Sequence, residues 1–178
     1  MLSWLRRDRR VRTQAQTLYA AVLRVARDPV FYRDRGVPDT FEGRFDLLVL
    51  LLHLVLRRLR QLGEPTKGVA QALFDTMMDD MDCVLRESGV SDTAVPKKVR
   101  AMAAAFYGRG LAYDDAWASS DPSALEQALA RNVLGDAGAS ARLLAAFVRD
   151  AEARLSTLDF DTIASGSAGL FAVGEVAA

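Results

Sequence analysis

The stretch Phe45-Asp-Leu-Leu-Val-Leu-Leu-Leu-His-Leu-Val-Leu56 decides the fold. Only Asp46 and His53 interrupt its apolar character, and it stops at Arg57-Arg58-Leu59-Arg60. A membrane-spanning helix needs roughly 20 apolar residues, far more than this run supplies. A helix that is apolar on every side but too short to span is the buried centre of a bundle. The expected fold is therefore all-α, a single-domain bundle of about six to seven helices packed around this one.

Working outward, Asp39 followed by Glu42 has the spacing of a capping box, which starts the central helix at about Thr40. Gly63 and Pro65 end it after Leu62 as cap and breaker. Upstream, Ala15, Leu18, Val22 and Val25 predict a helix over 13–27, closed by Asp28-Pro29. Residues 30–38, with Phe31, Tyr32, Gly36 and Pro38, read as an ordered loop. Downstream, a helix over 66–88 turns Val69, Leu73, Met77, Val84 and Leu85 inward. The next begins near Pro96 and carries Val99, Met102 and Phe106 on one face; Gly108 and Gly110 are candidate breaks before Tyr113–Trp117. Asp121-Pro122 opens a helix to Leu134, stopped by Gly135. The last helix covers 140–155, with Leu143, Leu144, Phe147 and Val148 inward. The expected organisation is a basic segment over 1–12, a helical domain over 13–162 and a flexible small-residue tail over 163–178.

The 178 residues carry no net charge, so the chain as a whole is no DNA binder. The charge is uneven, however: residues 1–60 hold 13 Arg against 6 Asp and Glu. The N-terminal residues Trp4, Arg6, Arg7, Arg9 and Arg10 suit a foot on anionic lipid or RNA phosphate, or else a solvated helix start. Cys83 is the lone cysteine, which rules out an internal disulfide and fits a reducing compartment. No apolar run of signal-peptide type follows the N-terminal arginines. The expected location is the cytoplasm, with peripheral contact at the cytoplasmic face of the inner membrane.

Catalytic chemistry finds few candidates. His53 is the single histidine and lacks metal-ligand partners at the usual spacing, so it reads as a core residue held by a hydrogen bond. Cys83 sits among Asp79, Asp80, Asp82 and Glu87, acidic neighbours that disfavour a thiolate. Asp75 and Asp79 share a helix face and have the spacing of a magnesium–diphosphate motif, with Asp114-Asp115 as the only second motif available. The same acids also suit a docking face for a basic partner or a plain solvated face. Met77, Met78 and Met81 between them fill core gaps or line an adaptable groove.

A resemblance narrows these options. Phe31-Tyr32, Gly36-Val37-Pro38-Asp39-Thr40 and Glu42-Gly43-Arg44-Phe45-Asp46-Leu47 resemble the ubiquinol–cytochrome c chaperone family. So do Leu56-Arg57-Arg58-Leu59-Arg60, Gln71-Ala72-Leu73-Phe74-Asp75 and Asp79-Asp80-Met81-Asp82. Lys97-Lys98-Val99, Met102 through Arg109 and Tyr113-Asp114 continue the likeness, which covers roughly 18–117 and looks most like the alphaproteobacterial branch.

The resemblance implies a non-enzymatic, all-helical assembly factor with no catalytic residues, no metal and no cofactor. Its mitochondrial members bind newly made cytochrome b, help build the cytochrome bc1 complex and associate with the ribosome exit region and a small partner protein. Ribosome association stays open for this chain, which does not show the long N-terminal extension of those members. The expected partner-binding face comprises Asp75, Met78, Asp79 and Asp82 with Tyr107, Arg109 and Tyr113, and the loop residues Phe31 and Tyr32. The alternatives are a helical quinone or lipid carrier, or a magnesium-dependent isoprenoid enzyme.

Overall fold

A computed structural model describes residues 3–135, 138–167 and 169–172, with side chains from Asp8 onward. Among these residues there are eight α-helices and no strand: α1 Ser3–Ala26, α2 Pro29–Arg33, α3 Phe41–Leu62, α4 Lys67–Glu87, α5 Val95–Ala118, α6 Ala124–Leu129, α7 Ala139–Thr157 and α8 Phe160–Ala164. A π turn over Ala130–Leu134 extends α6.

Helix α3 is the axis. All ten residues from Leu47 to Leu56 are buried, and α1, α4, α5 and α7 all pack on it. Burial of so many leucines is the main drive for the bundle, at about 25 cal/mol per Å² of apolar surface removed from water. Gly63, at φ 83°, ends α3, and buried Thr66 braces the turn into α4. Its hydroxyl lies 2.6 Å from the Leu59 carbonyl oxygen and 2.8 Å from that of Gly63, donating to one at a time. A second brace joins α1 to α4, where the Tyr19 hydroxyl donates to Asp80 at 2.6 Å. Burial and that acidic acceptor push the phenol's pKa above its ordinary value.

Several local expectations are corrected. Thr40, not Asp39, caps α3: its hydroxyl oxygen accepts from the Gly43 amide at 3.1 Å, while Asp39 pairs with Arg44. The segment after Asp28 is not all loop. The Asp28 carboxylate accepts from the Val30 amide at 3.0 Å and Pro29 occupies the first turn of α2, where its missing N–H costs nothing. Helix α1 starts ten residues earlier than the apolar spacing predicts. Gly108 and Gly110 leave α5 unbroken, and Leu143 faces outward at 37% exposure.

The expected flexible tail is packed as far as it is described. Asp159 caps α8 by accepting from the Thr162 amide, and Ile163, Leu170 and Phe171 are buried in the core. Phe171 stacks on Phe147 with centroids 6.4 Å apart. Apolar spacing missed this because three large side chains scattered among small ones show no period. Residues 173–178 of the expected tail lie outside the described residues.

Gly43 shows how tightly α3 is seated. A Cβ there would meet the Pro38 carbonyl oxygen at 2.1 Å, so the approach loop has no room for it. Gly68 on α4 has only Val11 methyl groups at 3.6 Å or more. Gly43→Ala is expected to cost about 1–3 kcal/mol in urea unfolding. Gly68→Ala is expected to be neutral or to stabilise by about 0.5–1 kcal/mol.

Candidate functional site

The polar residues of α3 fall on one stripe. Asp46, His53, Arg57 and Arg60 are separated by seven, four and three positions, the spacing of a single helix face. They meet α5, and each finds an opposite group there. Arg109 Nη2 lies 2.7 Å from Asp46 Oδ1 in a pair that is mostly shielded from water. Asp114 is the hub at the other end. Its carboxylate accepts from Arg57 at 3.0 Å and from Arg60 at 3.0 Å, and it lies 3.3 Å from His53 Nε2. Arg57 also sits over the Trp117 ring, 5.5 Å from its centroid.

Burial moves Asp46, His53 and Tyr113 away from their ordinary titration ranges. Desolvation raises the Asp46 carboxyl above the usual carboxylate range, and the Arg109 guanidinium opposes this. Burial also raises the Tyr113 phenol, whose hydroxyl has no hydrogen-bond partner among the described residues. His53 is pushed down to about 4, first by burial and then by Arg60 and Arg57, with Asp114 pulling the other way. The imidazole is 3% exposed and neutral at pH 7; its Nε2 approaches Asp114 without the alignment of a hydrogen bond. The core position expected for His53 is therefore found, but its expected hydrogen bond is not made.

Above this seam, α3, α4 and α5 enclose an open groove of about 560 Å³. His53 and Asp114 form its floor, Leu56, Phe74, Phe106 and Leu111 its walls, and Arg60 and Lys67 its mouth. Tyr107 and Leu111 stand one helical turn apart on α5 and are 63% and 64% exposed. Phe74 joins the two helices, with centroids 5.1 Å from Phe106 and 5.3 Å from Tyr107. Gly110 matters here because a Cβ would stand 3.2 Å from His53 Nδ1.

The structure divides the residues expected to bind a partner. Asp75 and Asp79 are exposed on α4; Asp75 accepts from Gln71 at 2.7 Å, and Asp82 pairs with Arg86. Met78 is half-buried beside them, and Tyr107 faces solvent on the neighbouring helix. Phe31 and Tyr113 do not belong to a surface. Phe31 is fully buried, edge-on to Phe147 at 5.0 Å, and Tyr113 is 1% exposed. Arg109 is committed to Asp46, and Tyr32 donates its hydroxyl to the Ala26 carbonyl beneath Arg44. These four residues hold the scaffold. At the N-terminus, Arg9 and Arg10 are exposed, and Arg10 lies 3.8 Å from Asp161. The side chains of Trp4, Arg6 and Arg7 lie outside the described residues. Cys83 is exposed on α4.

The acidic residues of α4 do not converge with Asp114, which the arginines of α3 already hold. Among the described residues no three His, Cys, Asp or Glu side chains gather closely enough to hold a metal ion. Phe74, Leu111 and Lys67 were not singled out by sequence reasoning. Their signal was faint: Gln71, Phe74, Asp75 and Met78 fall on one face of α4, and Tyr107 and Leu111 on one face of α5.

Comparisons with known proteins agree on one relationship. The family described as Ubiquinol-cytochrome C chaperone matches residues 33–171. The chain is similar to the ubiquinol-cytochrome-c reductase complex assembly factor 1 of Xenopus laevis, at 28% identity over 132 residues; the match covers 72% of this chain and 66% of that protein. It is also similar in structure to the Cbp3 homolog from Brucella abortus, with a TM-score of 0.79 and 33% identity over 93% of this chain and 94% of that one.

The neutral state of His53 has a consequence for stability. In the unfolded chain the imidazole titrates near 6.5, so below that pH the unfolded state takes up a proton that the folded state resists. This contribution is complete above pH 6.5 and is lost as the pH falls towards about 4, by at most about 3 kcal/mol. Urea unfolding of the parent protein between those limits should show the loss, and His53→Gln should flatten it.

Proposed function

Because the chain belongs to the ubiquinol–cytochrome c chaperone family, we propose that it is a non-enzymatic assembly factor that binds newly made cytochrome b and promotes assembly of the cytochrome bc1 complex. The observation that carries this reading is the match across residues 33–171, which takes in the central helix, the groove and the C-terminal packing segment. The name of the Xenopus relative, an assembly factor of the same respiratory complex, supports it.

The surface chemistry is compatible with gripping another chain. A client newly released into or beside a bilayer offers apolar side chains and basic flanks. This protein presents Asp75, Met78 and Asp79 on α4, and exposed Tyr107 and Leu111 on α5, with Phe74 of α4 against the Tyr107 ring. Aromatic and methionine side chains give adaptable apolar contact, and the carboxylates attract cationic flanks. Asp75, Met78, Asp79, Asp82 and Tyr107 make up the client-binding face in this reading. Among the described residues no helix is long and apolar enough to cross a membrane. Placement near the bilayer then falls to the basic N-terminus, where each cation close to an anionic leaflet contributes about 1 kcal/mol.

Deletion of the protein in its native host should remove the bc1-linked haem signals from membrane spectra and leave other oxidases intact. Affinity capture from solubilised membranes should enrich cytochrome b over a helical control protein. The double variant Asp79→Lys, Tyr107→Ala should reduce that enrichment by about tenfold while retaining the parent melting temperature. Equal recovery of cytochrome b with the control bundle refutes the client assignment.

A further inference from the structure

The groove on α3, α4 and α5 is graded from one end to the other. Phe74, Phe106 and Tyr107 form the aromatic end. Arg60 and Lys67 form the cationic end, where α3 finishes and α4 begins. Lys67 and Phe74 are seven residues apart on one helix, so the two ends are separated by about 10 Å.

The floor between them holds His53, 3% exposed, with an Nε2 that makes no hydrogen bond among the described residues. Gly110 lets α5 pack closely beside it, since a Cβ at that position would press on the imidazole at 3.2 Å. Both flanking carboxylates are already engaged: Asp114 by Arg57 and Arg60, and Glu64 by Lys67. Lys67 and Arg60 are 74% and 53% exposed, so an incoming anion can reach both. A concave site of about 560 Å³ falls in the usual range for small ligands, which are held by apolar walls and a few placed polar groups.

We propose that this groove binds an anionic single-chain amphiphile, with its apolar chain against Phe74, Phe106 and Leu111 and its head group between Arg60 and Lys67. The head group competes with Glu64 for the Lys67 ammonium. His53, whose Nε2 lies 3.3 Å from Asp114, forms part of the polar floor beneath the head. The site adjoins the acidic α4 face assigned to the client and shares Tyr107 with it, but Arg60, Lys67, Ala70 and Phe106 belong to the groove alone, so its occupancy is tested independently of that assignment.

The test is fluorescence titration of the full chain with dansylaminoundecanoate, a fatty-acid probe. Saturable one-to-one binding, displaced by unlabelled oleate and weakened by added salt, is expected. Lys67→Glu should weaken it about tenfold by replacing an attraction with a repulsion. Ala70→Leu, which fills the groove from α4 with a good helix former, should abolish binding; circular dichroism and melting verify that both variants fold. Sedimentation with phosphatidylglycerol vesicles separates the sources of the ligand. Probe binding without co-sedimentation supports the single-chain amphiphile, and co-sedimentation lost in the same two variants overturns that assignment in favour of a two-chain bilayer lipid. Absence of saturable binding overturns the proposal, as does binding unchanged in both variants. It is equally overturned if the probe fails to bind while the same variants block capture of cytochrome b, since the groove then belongs to the client.

Discussion

Ten consecutive buried residues on one helix, Leu47 to Leu56, impose the constraint from which the architecture follows. A helix with no polar side has to be enclosed on every side. Four helices do this, and none of them shares the all-round apolar character of α3. The surrounding helices can therefore be amphipathic and variable, provided each gives one apolar stripe to the axis. The seat of α3 is tight where it enters, at Gly43 against Pro38, and braced where it leaves, at Thr66.

The exceptions on α3 are as informative as the rule. Asp46, His53, Arg57 and Arg60 all turn towards α5, and their counter-groups on that helix fix how the two lie against each other. A purely apolar contact is tolerant of sliding, whereas charges seven and eleven residues apart are not. The same face of α3 borders the groove, which His53, Arg60 and Asp114 line together with residues of α4 and α5. Scaffold and surface thus share residues: His53, Arg60 and Asp114 take part both in the α3–α5 seam and in the lining of the concave face.

The central helix, its Gly63 stop and the all-α class were legible because a long apolar run and a glycine–proline pair are strong local signals. The capping residue was misjudged by one position, since Asp39 and Thr40 are both good caps and only the tertiary pairing of Asp39 with Arg44 separates them. Which of the family's marked residues face outward was not legible. Phe31 and Tyr107 are both aromatic and both near turns or glycines, yet one is sealed by Phe147 and the other lies open. Only the packing of distant segments decides that. The groove depends on Gly110 facing His53 across 57 positions of sequence, and no window of local periodicity reaches so far.

The closing segment has an implication for biosynthesis. Gly166 lies against α1, where an added Cβ would be 2.9 Å from the Thr17 carbonyl oxygen, and Leu170 and Phe171 complete the interior next to α7. Two segments roughly 150 positions apart in the sequence are thus immediate neighbours. During translation the part of α1 around Thr17 and Ala21 stays bare until the chain has grown past Gly166, although α3 and α4 cover the rest of that helix earlier. Such distant pairing slows folding. A member of a family described as chaperones is thus itself briefly in need of shielding.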